Sequence, residues 1–294
     1  MTISIKDYRV PPDHRVELDK WPTRVAPVYR SKDDYRAILE DHVETLSESQ
    51  RCLAASETYA VLLVLQGMDA AGKDGTIAHV LSGVNPAHCQ VANFRQPSSE
   101  ERLHDFLWRT SKQLPERGRV GIFNRSYYED VLVVRVHPDL LAATGIDPKK
   151  AEHDDFWQAR YRSIVDHEAH LHRSETRIVK VFLHLSWEEQ RERFLARIEE
   201  PEKNWKFSEA DATERQYWPR YMKAYGACLS ATSTDHAPWY VVPADDKENA
   251  RLIVSQILVQ TFGDLKLEYP STSAARRKEL KAIESTLKAE DGPG

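Results

Sequence analysis

Apolar positions along the chain fall into two spacings. Unbroken apolar runs occur at Tyr59-Ala60-Val61-Leu62-Leu63-Val64-Leu65-Gln66, at residues 90–94, 119–123 and 177–185, and at Trp239-Tyr240-Val241-Val242-Pro243. Runs of this length predict strands covered on both faces, as in a parallel sheet. Between them the spacing changes to that of helices. Tyr35, Ile38, Leu39, Val43 and Leu46 share one face of a helix predicted over 32–57, with Ser31 as its cap. Phe156, Trp157, Tyr161, Ile164 and Val165 do the same over 149–174, and Leu252, Ile253, Ile257, Leu258 and Phe262 from 245 onward. Shorter helices are expected at 77–81 and 131–136, and from a Ser98-to-Glu101 capping box through Leu103, Phe106, Leu107 and Trp108. Arg135 stands alone among apolar neighbours and needs a partner.

Strands alternating with helices predict an α/β fold with a five-stranded parallel sheet between helices. Residues 1–30 carry Pro11, Pro12, Pro22 and Pro27 and little periodicity, which predicts an extended arm. Residues 31–270 read as one domain, and 271–294 as a charged helix and tail. No internal repeat or low-complexity linker divides the chain.

The first strand runs straight into Gly67-Met68-Asp69-Ala70-Ala71-Gly72-Lys73-Asp74-Gly75-Thr76, and a helix follows. Gly67, Gly72 and Lys73 fit the G-x-x-x-x-G-K phosphate-binding loop in the strand–loop–helix setting that motif requires. Glycines let several N–H groups converge on one anion, and the helix adds its positive end. Gly67 and residues 70–76 (Ala70, Ala71, Gly72, Lys73, Asp74, Gly75 and Thr76) are the candidate cradle. The position after the lysine usually carries a hydroxyl for Mg²⁺; here it is Asp74, and Asp69 lies inside the loop. A carboxylate about 4 Å from a phosphate costs roughly 4 kcal/mol per charge pair at an effective dielectric of about 20. An intervening cation would relieve that repulsion. Asp69 is thus expected as an Mg²⁺ ligand, and Asp74 as an outer or helix-end residue.

The third strand delivers Asn124-Arg125-Ser126-Tyr127-Tyr128-Glu129-Asp130 to the same sheet edge, where open α/β folds bind ligands. Arg125 is expected on phosphate, with Asp130 or Glu129 on metal. Arg95 leaves the second strand at that edge. After the fourth strand, capping boxes at Ser186 and Ser208 open two helices. Arg191, Arg193, Arg197, Lys203 and Lys206 lie on and between them, which suits a lid over about 187–220. His167, His170 and His172 lack a metal-ligand spacing and read as exposed.

A net charge of −5 argues against a general nucleic-acid binder, so any polyanion must meet a local basic cluster. No apolar run approaches a membrane span, and the first residues lack a secretion signal. Cys52, Cys89 and Cys228 lie far apart and read as buried thiols in a reducing, cytoplasmic setting.

Three segments together resemble the type-2 polyphosphate kinases: Gly67 through Gly75, Phe123-Asn124-Arg125-Ser126-Tyr127-Tyr128-Glu129-Asp130, and Pro201-Glu202-Lys203-Asn204-Trp205-Lys206-Phe207. Tyr8-Arg9-Val10, Thr232-Ser233-Thr234 and Ala237-Pro238-Trp239-Tyr240 are similar to that family as well. The resemblance implies a P-loop kinase fold like that of thymidylate kinase. It implies Mg²⁺-dependent, reversible phosphoryl transfer between inorganic polyphosphate and a nucleotide, with Mn²⁺ as an alternative metal. It also implies a homo-oligomer, a dimer or tetramer. At the matching positions Asp69 and Asp130 look like the metal-associated carboxylates, and Lys73 and Arg125 like phosphate ligands. Arg191, Lys203 and Lys206 look like chain contacts in the lid. Arg95, Asn124, Tyr127 and Glu129 are the candidates on the nucleotide side. Relatives that favour diphosphates often show Asp-Arg-Ser followed by Trp-Tyr-Asn-Arg. Asn124 and Glu129-Asp130 instead resemble class III members, which accept AMP and ADP; GMP and GDP are further candidates. Tyr127 departs from the His often seen there. The rivals are an ATP-dependent nucleoside monophosphate kinase, which Asp74 disfavours, and a non-catalytic polyphosphate- or nucleotide-binding switch.

Overall fold

A computed structural model describes residues 3–206 and 208–289, and leaves out the side chains of Lys203, Trp205 and Lys206. The elements run α1 (Lys32–Ser56), β1 (Ala60–Gly67), α2 (Lys73–Val80), β2 (Cys89–Asn93), α3 (Trp108–Ser111), β3 (Val120–Asn124) and α4 (Glu129–Val136). They continue with α5 (Asp154–Arg173), β4 (Thr176–His184), α6 (Trp187–Glu199), α7 (Glu209–Glu214), α8 (Trp218–Thr232), β5 (Trp239–Pro243), α9 (Lys247–Asp264) and α10 (Ala274–Ala289). The expected α/β architecture is present: five strands form one parallel sheet in the order β2-β3-β1-β4-β5.

β1 is central, and every one of its residues is buried. In register, Leu65 lies beside Asn124 of β3 and Gly67 beside Leu183 of β4. The loop after β1 therefore opens between the C-terminal ends of two neighbours. Packing covers both faces of the sheet. On one, Leu62, Val64 and Phe123 meet Leu132 of α4, Ile164 of α5 and Leu229 of α8. On the other, Val61, Leu63 and Leu65 meet Leu46 of α1, Val80 of α2 and Ile253 and Ile257 of α9.

Helix starts follow the capping chemistry. Ser31 accepts from the N–H of Asp34, Ser186 from Glu189, and Asp246 from Glu248 and Asn249. The Ser208 N–H donates to the Asp211 carboxylate at 2.8 Å, opening α7. The arm follows the fifth strand: Val10 N–H donates to Trp239 O at 2.9 Å, and the Ser233 hydroxyl donates to Val10 O at 2.7 Å. Val10, Val16 and Leu18 are buried under it. Arg135 finds its partners in the Tyr161 hydroxyl, at 2.6 Å, and the Trp157 ring.

Several expectations are corrected. The helix predicted through Leu103 to Trp108 does not form, although its capping box does: Ser98 N–H meets Glu101 Oε2 at 2.8 Å and Glu101 N–H meets Ser98 Oγ at 3.1 Å. Extended backbone at His104 stops the turn, and Asp105 caps a new start by accepting from Leu107 N–H. Leu103 is left 87% exposed, so no buried face holds a longer helix together. Of the three histidines on α5 only His170 is exposed; His167 and His172 are half-buried. Cys228 alone is a buried thiol, and Cys52 and Cys89 are free and half-buried. Among the described residues no helix is long and apolar enough to cross a membrane.

A side chain on Gly121 of β3 would lie 2.9 Å from the Pro115 ring. Overpacking of this kind costs about 1–3 kcal/mol. Gly121→Ala is expected to lower the melting temperature by about 2–10 °C in a calorimetric scan, with secondary structure retained at 25 °C.

Candidate active site

The strand-to-helix turn after β1 can be built from its atoms. A Cβ on Gly67 would sit 3.0 Å from Leu183 O and 3.0 Å from the Ala71 Cβ, so the loop can pass β4 only as glycine. Gly72, with φ +101°, opens α2 in a left-handed conformation. Ala70 takes φ +64° without that licence. α6 holds the strained loop from behind: Gln190 Nε2 donates to Asp69 O at 2.9 Å and Arg193 Nη1 to Ala70 O at 2.9 Å. Arg193 also donates to Ala244 O at 2.6 Å and to the Glu189 carboxylate at 2.9 Å. The reading of Arg193 as a lid cation is therefore corrected. It is buried and braces the loop. The spacing of Gln190, Arg193 and Phe194, one inward helix face, was the available signal.

Lys73 begins α2 and turns back over the loop, donating to Gly67 O at 2.7 Å and Met68 O at 3.2 Å. Burial, then the charge of Arg125, pushes its ammonium down to about 8, while Asp69, Glu129 and Asp74 oppose the shift. Asp74 lies in the first turn of α2, where a carboxylate complements the helix end. Its Oδ1 accepts from Asn124 Nδ2 at 2.8 Å, and the same amide reaches Asn93 Oδ1 at 2.8 Å. Asn124 thus ties α2 to the ends of β2 and β3. Thr76 is buried and its N–H is taken by Gly72 O at 2.9 Å, so it supports the turn from within.

Arg125 leaves β3 with φ +63° and aims across at the loop. Nη2 donates to Asp69 Oδ1 at 2.7 Å, and Nη1 lies 3.5 Å from Glu129 Oε2. Glu129 contributes most to raising the guanidinium pKa, with burial opposing and Asp69 adding. Tyr221 and Tyr225 of α8 face this group: burial raises the pKa of both hydroxyls, and the charges of Glu129 and Asp69 add to it. Asp130 points the other way. Its Oδ1 lies 3.6 Å from Arg160 Nη1, and that nitrogen donates to Asp130 O at 2.7 Å. Burial pushes the carboxyl up to about 6, with Arg160 and Arg109 opposing.

The remaining predicted residues separate. Arg95 is exposed beyond the end of β2, and its carbonyl anchors Arg109 at 2.7 Å. Tyr127 is fully buried, and its hydroxyl donates to Glu168 at 2.8 Å. The structure places it in the core, away from any acceptor surface, because an apolar ring beside an interior carboxylate is held there. Arg191 is exposed and pairs with Glu192. The side chains of Lys203 and Lys206 lie outside the described residues. Between α6 and α8, Glu214 Oε1 accepts from Tyr221 at 2.5 Å and lies 2.6 Å from His137 Nε2, which joins α7 to the end of α4.

Among the described residues no set of three His, Cys, Asp or Glu side chains is arranged to hold a metal unaided. Mg²⁺ seldom uses such a cage; it binds one or two carboxylates and completes its shell with water and phosphate oxygens. Asp69, a partly exposed carboxylate at the mouth of the loop, fits that use. A groove of about 600 Å³ between residues 15–19 of the arm and α8 contains none of these groups.

Comparison with known proteins gives this edge its context. The family model described as Polyphosphate kinase 2 (PPK2) matches residues 29–270. The chain belongs to the polyphosphate kinase 2 family. It is 59% identical over 287 residues to the ADP-polyphosphate phosphotransferase of Rhodopseudomonas palustris, covering 98% of this chain and 99% of that one. It is 43% identical over 278 residues to the AMP/ADP-polyphosphate phosphotransferase of Meiothermus ruber, covering 93% and 98%. The crystal structure of Polyphosphate Kinase 2 from Arthrobacter aurescens superposes with a TM-score of 0.84 at 39% identity, covering 96% of this chain and 98% of that one. The family resemblance read from the three segments, the P-loop kinase fold and the status of a phosphotransferase enzyme all stand on these comparisons.

The environment of Asp130 carries a pH signature. Its carboxyl has a higher pKa folded, about 6, than an ordinary aspartate, about 3.9. Below the unfolded value both states hold the proton and the group is neutral in effect. Between that value and about 6 only the folded state holds it, so stability falls as pH rises. Above about 6 the full cost, about 3 kcal/mol, is present. Asp130→Asn is expected to flatten that part of the stability curve in urea melts taken from pH 4 to pH 7.

Proposed function

We propose that the chain transfers a phosphoryl group from inorganic polyphosphate to AMP or ADP, reversibly and with Mg²⁺. The observation that carries this reading is the convergence of Lys73, Arg125 and Asp69 at the mouth of a phosphate-binding loop, in a chain whose relatives bear polyphosphate phosphotransferase names. Two polyanions must meet there. The attacking group is a terminal phosphate oxygen of the nucleotide, already anionic near neutral pH, so no strong base is required. Its oxygen forms a bond to the terminal phosphorus of the chain. The bridging P–O bond breaks, and the shortened polyphosphate leaves with the electron pair.

Lys73 and Arg125 neutralise charge on the moving phosphoryl group in a loose transition state. Arg125 is held ready by carboxylates on both sides, and a phosphate oxygen would compete with Asp69 for its Nη2 donor. Asp69 would hold Mg²⁺, which screens the repulsion between donor, acceptor and carboxylates; Asp130, turned toward Arg160, would join it only by swinging back toward the loop. Asn124 and Glu129 stand at the nucleotide side, with Arg95 beyond them. Arg191, Lys203 and Lys206 would follow the chain as the lid segment closes. The enzyme acts in the cytoplasm and assembles as a dimer or tetramer in this reading.

Incubation with Mg²⁺, long-chain polyphosphate and each of AMP, ADP, GMP and GDP, followed by chromatography, tests the reading. Phosphorylated product that requires polyphosphate is expected. Product formed only when ATP replaces polyphosphate would favour the monophosphate kinase, and binding without product the switch. Lys73→Ala is expected to reduce polyphosphate-dependent ATP formation by about 10²-fold or more in a coupled luciferase assay. Asp69→Asn is expected to raise the Mg²⁺ concentration for half-maximal rate by about tenfold in a metal titration.

A further inference from the structure

Behind the turn that carries Arg125 lies a charged group with no access to solvent. Lys180 of β4 and Glu168 of α5 are both 0% exposed, and Nζ donates to Glu168 Oε2 at 2.6 Å. The other carboxylate oxygen, Oε1, accepts from two successive tyrosines, Tyr127 and Tyr128, each at 2.8 Å. Lys180 also donates to the Tyr128 hydroxyl at 3.0 Å and to Thr232 O, at the end of α8, at 2.6 Å. All three ammonium protons and both carboxylate oxygens are used, so the network is closed.

A buried ion pair is a poor way to gain stability, because desolvation offsets the attraction and apolar replacements often do as well. What the pair does have is direction. Both tyrosines lie within three residues of Arg125, and Glu129 follows directly. The turn is pinned again at Ser126, whose hydroxyl accepts from Gln66 Nε2 at 3.2 Å and from Tyr128 N–H at 3.2 Å. Between these anchors Arg125 keeps a left-handed backbone that a side chain does not favour, with φ +63°.

We infer that the Glu168–Lys180 pair, acting through the hydroxyls of Tyr127 and Tyr128, is a positioning device that fixes the aim of Arg125 and Glu129 during phosphoryl transfer. None of the four touches substrate, and the inference rests on the function proposed above. Strands β3 and β4 are not neighbours, since β1 lies between them. The network therefore crosses one face of the sheet, joining β4, α5 and α8 to the β3–α4 turn. A loss of either hydroxyl loosens the turn and leaves the ion pair in place.

The test is the double variant Tyr127→Phe/Tyr128→Phe, with Tyr161→Phe as the control. Tyr161 is also a buried tyrosine, but its hydroxyl serves Arg135 on the far end of α4. The double variant is expected to lose about tenfold in kcat, the two single changes combining non-additively as members of one unit, with the KM for nucleotide within about twofold of wild type. Tyr161→Phe is expected to lower the melting temperature while keeping kcat. Two results overturn the inference alone, given an active wild type. One is a double variant whose kcat stays within twofold while its melting temperature falls. The other is an equal loss of kcat in Tyr161→Phe. A wild type that forms no product from polyphosphate removes the proposed function and this inference with it.

Discussion

The pairing of Arg125 with Asp69 is the contact on which the rest of this edge depends. It joins the turn after β3 to the loop after β1 at 2.7 Å. It also sets the electrostatic condition under which two carboxylates, Asp69 and Asp74, can stand beside a phosphate cradle. An arginine always carries its charge, and its planar fork can exchange a carboxylate for a phosphate without rebuilding. Lys73 complements it. Its charge is a compact point, buried and desolvated, so it gains most when an anion arrives. The site thus stores cationic groups in internal contacts that a polyanion can replace.

These groups are held by elements with little freedom. The loop is braced by Gln190 and Arg193 from α6, and the same helix forms the first part of the segment read as a lid. Movement of that segment would be felt at Asp69 and Ala70 through two hydrogen bonds, one residue apart. Asn124 links Asp74 to Asn93 in the same manner across β2 and β3. The floor of the site is therefore a mesh of side-chain hydrogen bonds, some to backbone and some to other side chains, laid over the C-terminal strand ends.

Much of this was legible in the sequence. The five apolar runs became the five strands, and the caps at Ser31, Ser186 and Ser208 opened helices. Local chemistry decides those features, so a local reading finds them. The glycine loop was legible for the same reason. The roles of Arg193, Arg160, Glu168 and Lys180 were not, because each depends on partners far away in the chain. Lys180 lies inside a strand buried on both faces, and a charge there announces that a counter-charge must exist without saying where. Tyr127 was misplaced for the converse reason. A polar aromatic residue in a functional motif reads equally well as a ligand contact or as a core residue with a bonded hydroxyl, and only its 0% exposure separates the two.

The arm has an implication for the sheet as a whole. Strand β5 lies at one margin, and an uncovered margin offers a row of unpaired N–H and C=O groups to any extended peptide. Arg9 forms an antiparallel bridge with Tyr240, and Val10 takes the carbonyl of Trp239. By residue 10, well before α1 begins at Lys32, the chain has met its own last strand. Growth of the sheet by strand addition is thereby hindered on the β5 side, at the point where the arm crosses it.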